Sequence, residues 1–329
     1  MPGRSHHILL LLALLLLAMS GVGQAAAQVA PPAGGRTPQR YVFIGGTGNN
    51  LFALADPAVA RALHANGHIG LYQHAVGIGR LSPAQRSALW AAWGLDEHGR
   101  GDTVGEVGGG PSPGFLQASG GVAPARVNAN DLAVETGNTY TAKAGDARPG
   151  TRYVNYVSSG DLARVKADID FYRSKGATGV AMVMSPNGPN RDLDDRFESG
   201  SYWANVRAIA LHGGGIGIDA PPSYFFAREE AYRRMVAQMV VWAKAHSLRA
   251  SFIVSPFAQQ PDRAGHSGPS GYDPSFVEST RRLVAYLRER NALPTEWVVE
   301  NYAVDGTEND VAADGTSNSL NEVALLLAH

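Results

Sequence analysis

The sequence predicts an α/β fold, a (β/α)8 TIM-like barrel with a long Gly/Asn-rich insertion after the second visible strand. Three observations lead there. Short β-branched apolar runs alternate with amphipathic segments of helical spacing from residue 41 onward, the pattern of a parallel sheet covered by helices. Seven such runs recur roughly every thirty to forty residues, apart from a gap between 79 and 151 that leaves room for an eighth. Several runs end in polar or acidic residues, as strands do where they open on a barrel mouth. An open doubly wound sheet is the alternative. The nearest approach to its glycine-rich fingerprint, "FIGGTGNN", lacks the full spacing.

Taken in order, residues 1–27 read as an export signal. Arg4 precedes an apolar run from Ile8 to Met19, and the small residues of "GQAAAQ" follow, with Ala27 the last residue removed. The run is too short for a comfortable membrane span. Residues 28–40, "QVAPPAGGRTPQR", form a Pro/Gly-rich lead-in. A single barrel domain is expected over 41–329. Its strands are placed at "YVFIGG" (41–46), "IGLYQHAVGI" (69–78), "RYVNYVSS" (152–159), "TGVAMVMSP" (178–186), "GGIGIDAPP" (214–222), "RASFIVSPF" (249–257) and "EWVVENYA" (296–303).

Between the strands, "SPAQRSALWAAWG" opens on Ser82-Pro83 and closes at Gly94, and "SGDLARVKADIDFYRSKG" stops at Gly176. "REEAYRRMVAQMVVWAKAHSL" repeats apolar residues at three and four, with Glu229 and Glu230 in its first turn and Lys244 and His246 in its last. "DPSFVESTRRLVAYLRERNAL" has Asp273 as N-cap and Pro274 in the first turn. The stretch 94–150 is expected as an insertion beside the site, without a core of its own. An eighth strand could hide in it near "GFLQASGG".

Composition excludes several chemistries. The chain has no cysteine, hence no disulfide, thiolate nucleophile or zinc–thiolate site. The formal charge is −1 with no basic stripe, which argues against nucleic acid or an anionic membrane as partner. No GxSxG, P-loop or HExxH is present, and His64 and His68 lack an acidic third ligand for zinc. No cofactor and no metal are expected. The expected setting is periplasmic or secreted, with a neutral or only weakly charged carbohydrate as partner and no membrane insertion after signal cleavage.

The strand ends carry the chemistry. In a barrel, Ser185, Asn187, Asp219, Ser255, Glu300 and Asn301 converge on one face. An unpartnered buried carboxylate costs several kcal/mol, so Asp219 and Glu300 need a reason: a helix cap or ion pair on one side, catalysis on the other. Paired carboxylates at a barrel mouth are what glycosidic cleavage requires, one protonating the leaving oxygen and one attacking the anomeric carbon or activating water. His74, Asn187, Tyr224, Phe257, Asn301 and Tyr302 are candidates for substrate binding. The acidic loop "NGPNRDLDDRFESGSYW" reads as solvated charge, with Glu198 as a reserve acid.

With "GIGIDAPPSYFF" and "EWVVENYA" as its strand-end acids and the alternating plan over 41–329, the chain resembles the broad class of exported bacterial (β/α)8-barrel glycoside hydrolases. In many of these a glutamate at the end of a late strand serves as nucleophile or base, and the resemblance implies that role for Glu300. "AMVMSPNGP" departs from the best-known plan, offering Asn187 and no acid at the middle strand. The alternatives are a non-catalytic polysaccharide-binding accessory protein of exopolysaccharide synthesis or export, and a barrel hydrolase of another bond.

Overall fold

The computed structural model describes residues 41–46, 49–107, 113–129, 139–141, 152–154, 159–184, 197–199, 203–256, 273–301 and 319–329. The signal and lead-in expected over 1–40 lie outside them, and residues 40–329 make one compact unit. No helix among the described residues is long and apolar enough to cross a membrane.

The chain runs β1 (Tyr41–Gly46), α1 (Asn49–Leu54), α2 (Pro57–Gly67), β2 (Gly70–Gln73), α3 (Ala75–Arg80), α4 (Pro83–Ala92), β3 (Thr103–Val107), α5 (Pro113–Ala118) and β4 (Arg126–Ala129). A strand pair follows, β5 (Thr139–Thr141) and β6 (Arg152–Val154), then α6 (Ser159–Ser174), β7 (Gly179–Met184), α7 (Ala204–Gly213) and β8 (Gly214–Asp219). The rest is α8 (Pro222–Ala227), α9 (Glu230–Ala245), β9 (Arg249–Val254), α10 (Phe276–Glu289), β10 (Glu296–Asn301) and α11 (Leu320–Ala328). Strands β1, β2, β3, β4, β7, β8, β9 and β10 pair in that order, all parallel, and β10 closes on β1 with Gly45 opposite Glu300. This is a closed (β/α)8 barrel.

Strand pleating sorts the residues of each strand into two sets. Val42, Ile44, Leu71, Met182, Met184, Ile216, Phe252, Trp297 and Val299 face the helices and join the outer core. Phe43, Tyr72, Val104, Val183, Ile253 and Val298 form a second, inner cluster that fills the barrel. Burial on both faces explains why β1 and β7–β10 read as nearly unbroken apolar runs.

Three expectations are corrected. The run 69–78 is a strand only over Gly70–Gln73, and Ala75–Arg80 is helix α3 with His74 at its N-cap. Within 94–150, expected as a coreless insertion, the described residues supply barrel strands β3 and β4, while "GFLQASGG" carries helix α5. Both strands are short, and Glu106 and Asn128 interrupt their apolar runs. "RYVNYVSS" is not a barrel strand. Its first three residues pair antiparallel with 139–141, and the place beside β7 belongs to β4.

Helix ends follow the sequence except at α9, where Glu229 and His246 are the caps and not first- and last-turn residues, and at α10, where Pro274 precedes the N-cap. Ser82 and Gln85 form a reciprocal capping box on α4, and Gly94 and Gly176 take left-handed φ of 65° and 109° just past α4 and α6. Asp273, expected as the cap of α10, accepts instead from the backbone and hydroxyl of Ser275, and Ser275 takes the cap position.

Candidate active site at the barrel mouth

One pleat period above the inner apolar cluster, the same face of the strands turns polar. Val298 is followed by Glu300, Tyr72 by His74, Val104 by Glu106 and Ile253 by Ser255, and Asp219 ends β8. These are the C-terminal ends of parallel strands, where barrels build their sites. Glu106 and Glu300 are each only 3% exposed, and Ser255 is fully buried.

His74, Glu106 and Glu300 come together, each with a potential ligand atom within 4.8 Å of the others. His74 Nε2 lies 3.3 Å from Glu106 Oε2. Glu300 Oε2 is buried and has no hydrogen-bond partner among the described residues. Burial pushes the Glu300 carboxyl well above the ordinary glutamate range, and the negative charges of Glu106 and Asp219 push it in the same direction. Below the cluster, the Tyr72 phenol is likewise raised, first by burial and then by Glu106 and Glu300. Apolar surroundings and like charge therefore favour the protonated form of Glu300.

The scaffold fixes these groups from behind. Gln73 faces outward, where Trp90 Nε1 donates to its Oε1 at 2.9 Å, while its Nε2 donates to Gly99 O at 2.7 Å and to Thr103 Oγ1 at 2.9 Å. Thr103 Oγ1 in turn donates to Leu71 O at 2.6 Å. This chain of bonds ties the exit of β2, and so the backbone of His74, to the start of β3. Gly45 lies level with Glu300, and a Cβ there would stand 2.3 Å from Tyr72 O. Only glycine lets β1 approach β2 this closely.

The barrel carries a separate buried charge pair. Arg249 Nη1 lies 4.0 Å from Glu296 Oε2, and Arg249 Nη2 donates to Val127 O at 2.6 Å and also to Asn128 Oδ1. Asn128 Nδ2 donates to Ser251 Oγ at 3.1 Å. Burial lowers the Arg249 pKa, and Glu296 opposes the shift. The pair begins strands β9 and β10, at the end of a barrel whose residues serve stability.

Of the residues singled out in the sequence, Asp219, Glu300 and His74 sit at the mouth, and Asp219 acts electrostatically on Glu300. Asn301 does not share their face. It follows Trp297 and Val299 on the helix-facing side, because adjacent strand residues point opposite ways. Tyr224 packs in the helix layer, with Arg228 4.5 Å above its ring and Tyr232 edge-on at 6.1 Å. Glu198 is exposed in a turn beside Phe197. Asn187, Phe257 and Tyr302 lie outside the described residues. Glu106 is the site residue that sequence reasoning missed. The signal for it is "TVGEV", where a glutamate holds the alternate position after an inward valine.

His74, Glu106 and Glu300 are also the described residues that could hold a metal ion. A nitrogen and two carboxylates suit a borderline or hard divalent cation.

No family model matches the chain, and no curated protein matches it. Among solved structures it is similar to D-psicose 3-epimerase with D-fructose, at 12% identity over 86% of this chain and 96% of that one, TM-score 0.40. It is similar also to a putative deoxyribose-phosphate aldolase from Toxoplasma gondii ME49, at 9% identity over 82% and 91%, TM-score 0.42. The glycoside hydrolase domain of PelA from Pseudomonas aeruginosa is a third, at 11% identity over 79% and 94%, TM-score 0.32. These likenesses decide nothing about reaction or residues.

Proposed function

We propose that the protein is a glycoside hydrolase-like enzyme that cleaves a neutral poly- or oligosaccharide outside the cytoplasm. The observation that carries this reading is the buried Glu300 carboxyl, its Oε2 without a partner among the described residues, set at the barrel mouth beside two further carboxylates, Glu106 and Asp219. Glycosidic cleavage needs a carboxylic acid that stays protonated near neutral pH and a second carboxylate that does not. Glu300 suits the first role, because burial and like charge shift it towards its neutral form. A second carboxyl group in the same layer, Asp219 or Glu106, completes the pair. The near-neutral charge supports a substrate that is neutral or only weakly charged.

The test is product release from a panel of bacterial and plant polysaccharides by the protein and by Glu300→Gln. Release by the first and not by the second supports the reading, and release by neither removes it. A second reading rests on one observation, the approach of His74, Glu106 and Glu300 within 4.8 Å: a metal-dependent hydrolase of another bond. Stoichiometric divalent metal in the purified protein, lost in His74→Ala, would favour it.

A further inference from the structure

We infer that Glu106 is the carboxylate that attacks the sugar, and that hydrolysis retains the anomeric configuration. The inference rests on the glycosidase reading above.

Spacing decides between the two stereochemical courses. Inverting enzymes hold their carboxyl groups about 6.5–9.5 Å apart to admit a water between them, and retaining enzymes about 5–5.5 Å. Carboxylate oxygens of Glu106 and Glu300 lie within 4.8 Å of each other. That is short of the space a water and a sugar need between acid and base, and close to the distance for direct attack. Glu106 stands at the mouth between His74 on one side of it in the strand order and Asn128, its register partner on β4, on the other. His74 Nε2 lies 3.3 Å from Glu106 Oε2 and places a ring nitrogen beside that carboxylate. Asp219, on β8, enters through its charge on Glu300 and is not part of the group that approaches within 4.8 Å.

The first step forms a bond from a Glu106 oxygen to the anomeric carbon as the bond to the leaving oxygen breaks, and the Glu300 proton passes to that oxygen. In the second, water gives a proton to the Glu300 carboxylate and its oxygen bonds to the anomeric carbon. The glycosyl–Glu106 ester breaks, returning both side chains to their starting forms. Two inversions at one carbon leave its configuration as it began.

Proton NMR of the reducing end, recorded as the unmodified protein cleaves a polysaccharide it accepts, reads the outcome without a variant. Retention is expected. Inversion overturns the role of Glu106 while leaving the glycosidase reading in place, whereas no release from any polysaccharide removes that reading first. Glu106→Ala should lose turnover by about a thousandfold or more and regain it with sodium azide, yielding a glycosyl azide of configuration opposite to the substrate. The same azide product from Asp219→Ala, with none from Glu106→Ala, would move the role to Asp219 and overturn the inference. A stoichiometric divalent ion in the purified protein that Glu106→Ala loses would also overturn it.

Discussion

His74 and Glu106 face each other at 3.3 Å across the mouth of the barrel, from the ends of neighbouring strands β2 and β3. Thirty-two positions separate them in the chain, and the parallel register joins them: Gln73 pairs with Gly105, so the next residue of each strand turns inward at the same level. Glu300 completes the group from β10.

Replacing Glu300 by glutamine keeps its shape and removes its proton chemistry. Turnover should fall by about a thousandfold or more with the circular dichroism unchanged. In the unmodified protein kcat/KM should decline as pH rises through the elevated pKa of the Glu300 carboxyl, since the proposed role uses the protonated form. A pH–rate profile checks the position of that alkaline limb.

The same shift bears on stability. Burial, then Glu106 and Asp219, raise the folded-state pKa of Glu300 above its unfolded value. The stabilisation is therefore fully present below the unfolded pKa, about 4.3, and is lost as pH rises through the folded one. Thermal melts between pH 4 and 8 should show Tm falling with pH more steeply in the unmodified protein than in Glu300→Gln. Parallel curves would contradict it.

Arg249 and Glu296 form a buried pair whose members support strand starts β9 and β10. Arg249→Met leaves the Glu296 carboxylate, 2% exposed, without its cation. Breaking a buried pair from one side costs about 3–5 kcal/mol, and urea unfolding should show a loss of that order. Arg249→Met with Glu296→Leu should recover much of it, since an apolar replacement of both partners is often neutral.

Gln73 reaches no reacting group, yet its side-chain bonds anchor the backbone just before His74. Gln73→Ala strands the Trp90 indole N–H and should cost about 1–3 kcal/mol by denaturant melts. Gly45→Ala should be harsher, because the added carbon would meet backbone at 2.3 Å and β1 or β2 must shift. Both variants should raise KM or lower kcat through misplaced His74 and Tyr72, without changing the pH limb set by Glu300.

Much of this architecture is legible in the sequence. β1, β7, β8, β9 and β10 announce themselves because both their faces are buried and their apolar runs are nearly continuous. "TVGEV" and "RVNA" stay hidden for the reason that makes them informative: Glu106 and Asn128 face the barrel interior and break the apolar pattern. "RYVNYVSS" misleads because local β-propensity does not say which partner a strand will find. Glu300 and Asp219 are visible as acids closing apolar runs. Asn301 and Tyr224 show the limit of proximity in sequence, since pleating turns one to the helix layer and helix packing holds the other there.

The central claim is that the carboxylates at this mouth cleave glycosidic bonds. It is tested most directly by measuring reducing ends released from a polysaccharide panel by the purified protein and by folded Glu300→Gln. The account predicts release by the first and a loss of about a thousandfold or more in the second. No release from any polysaccharide, or equal release by both, would contradict it.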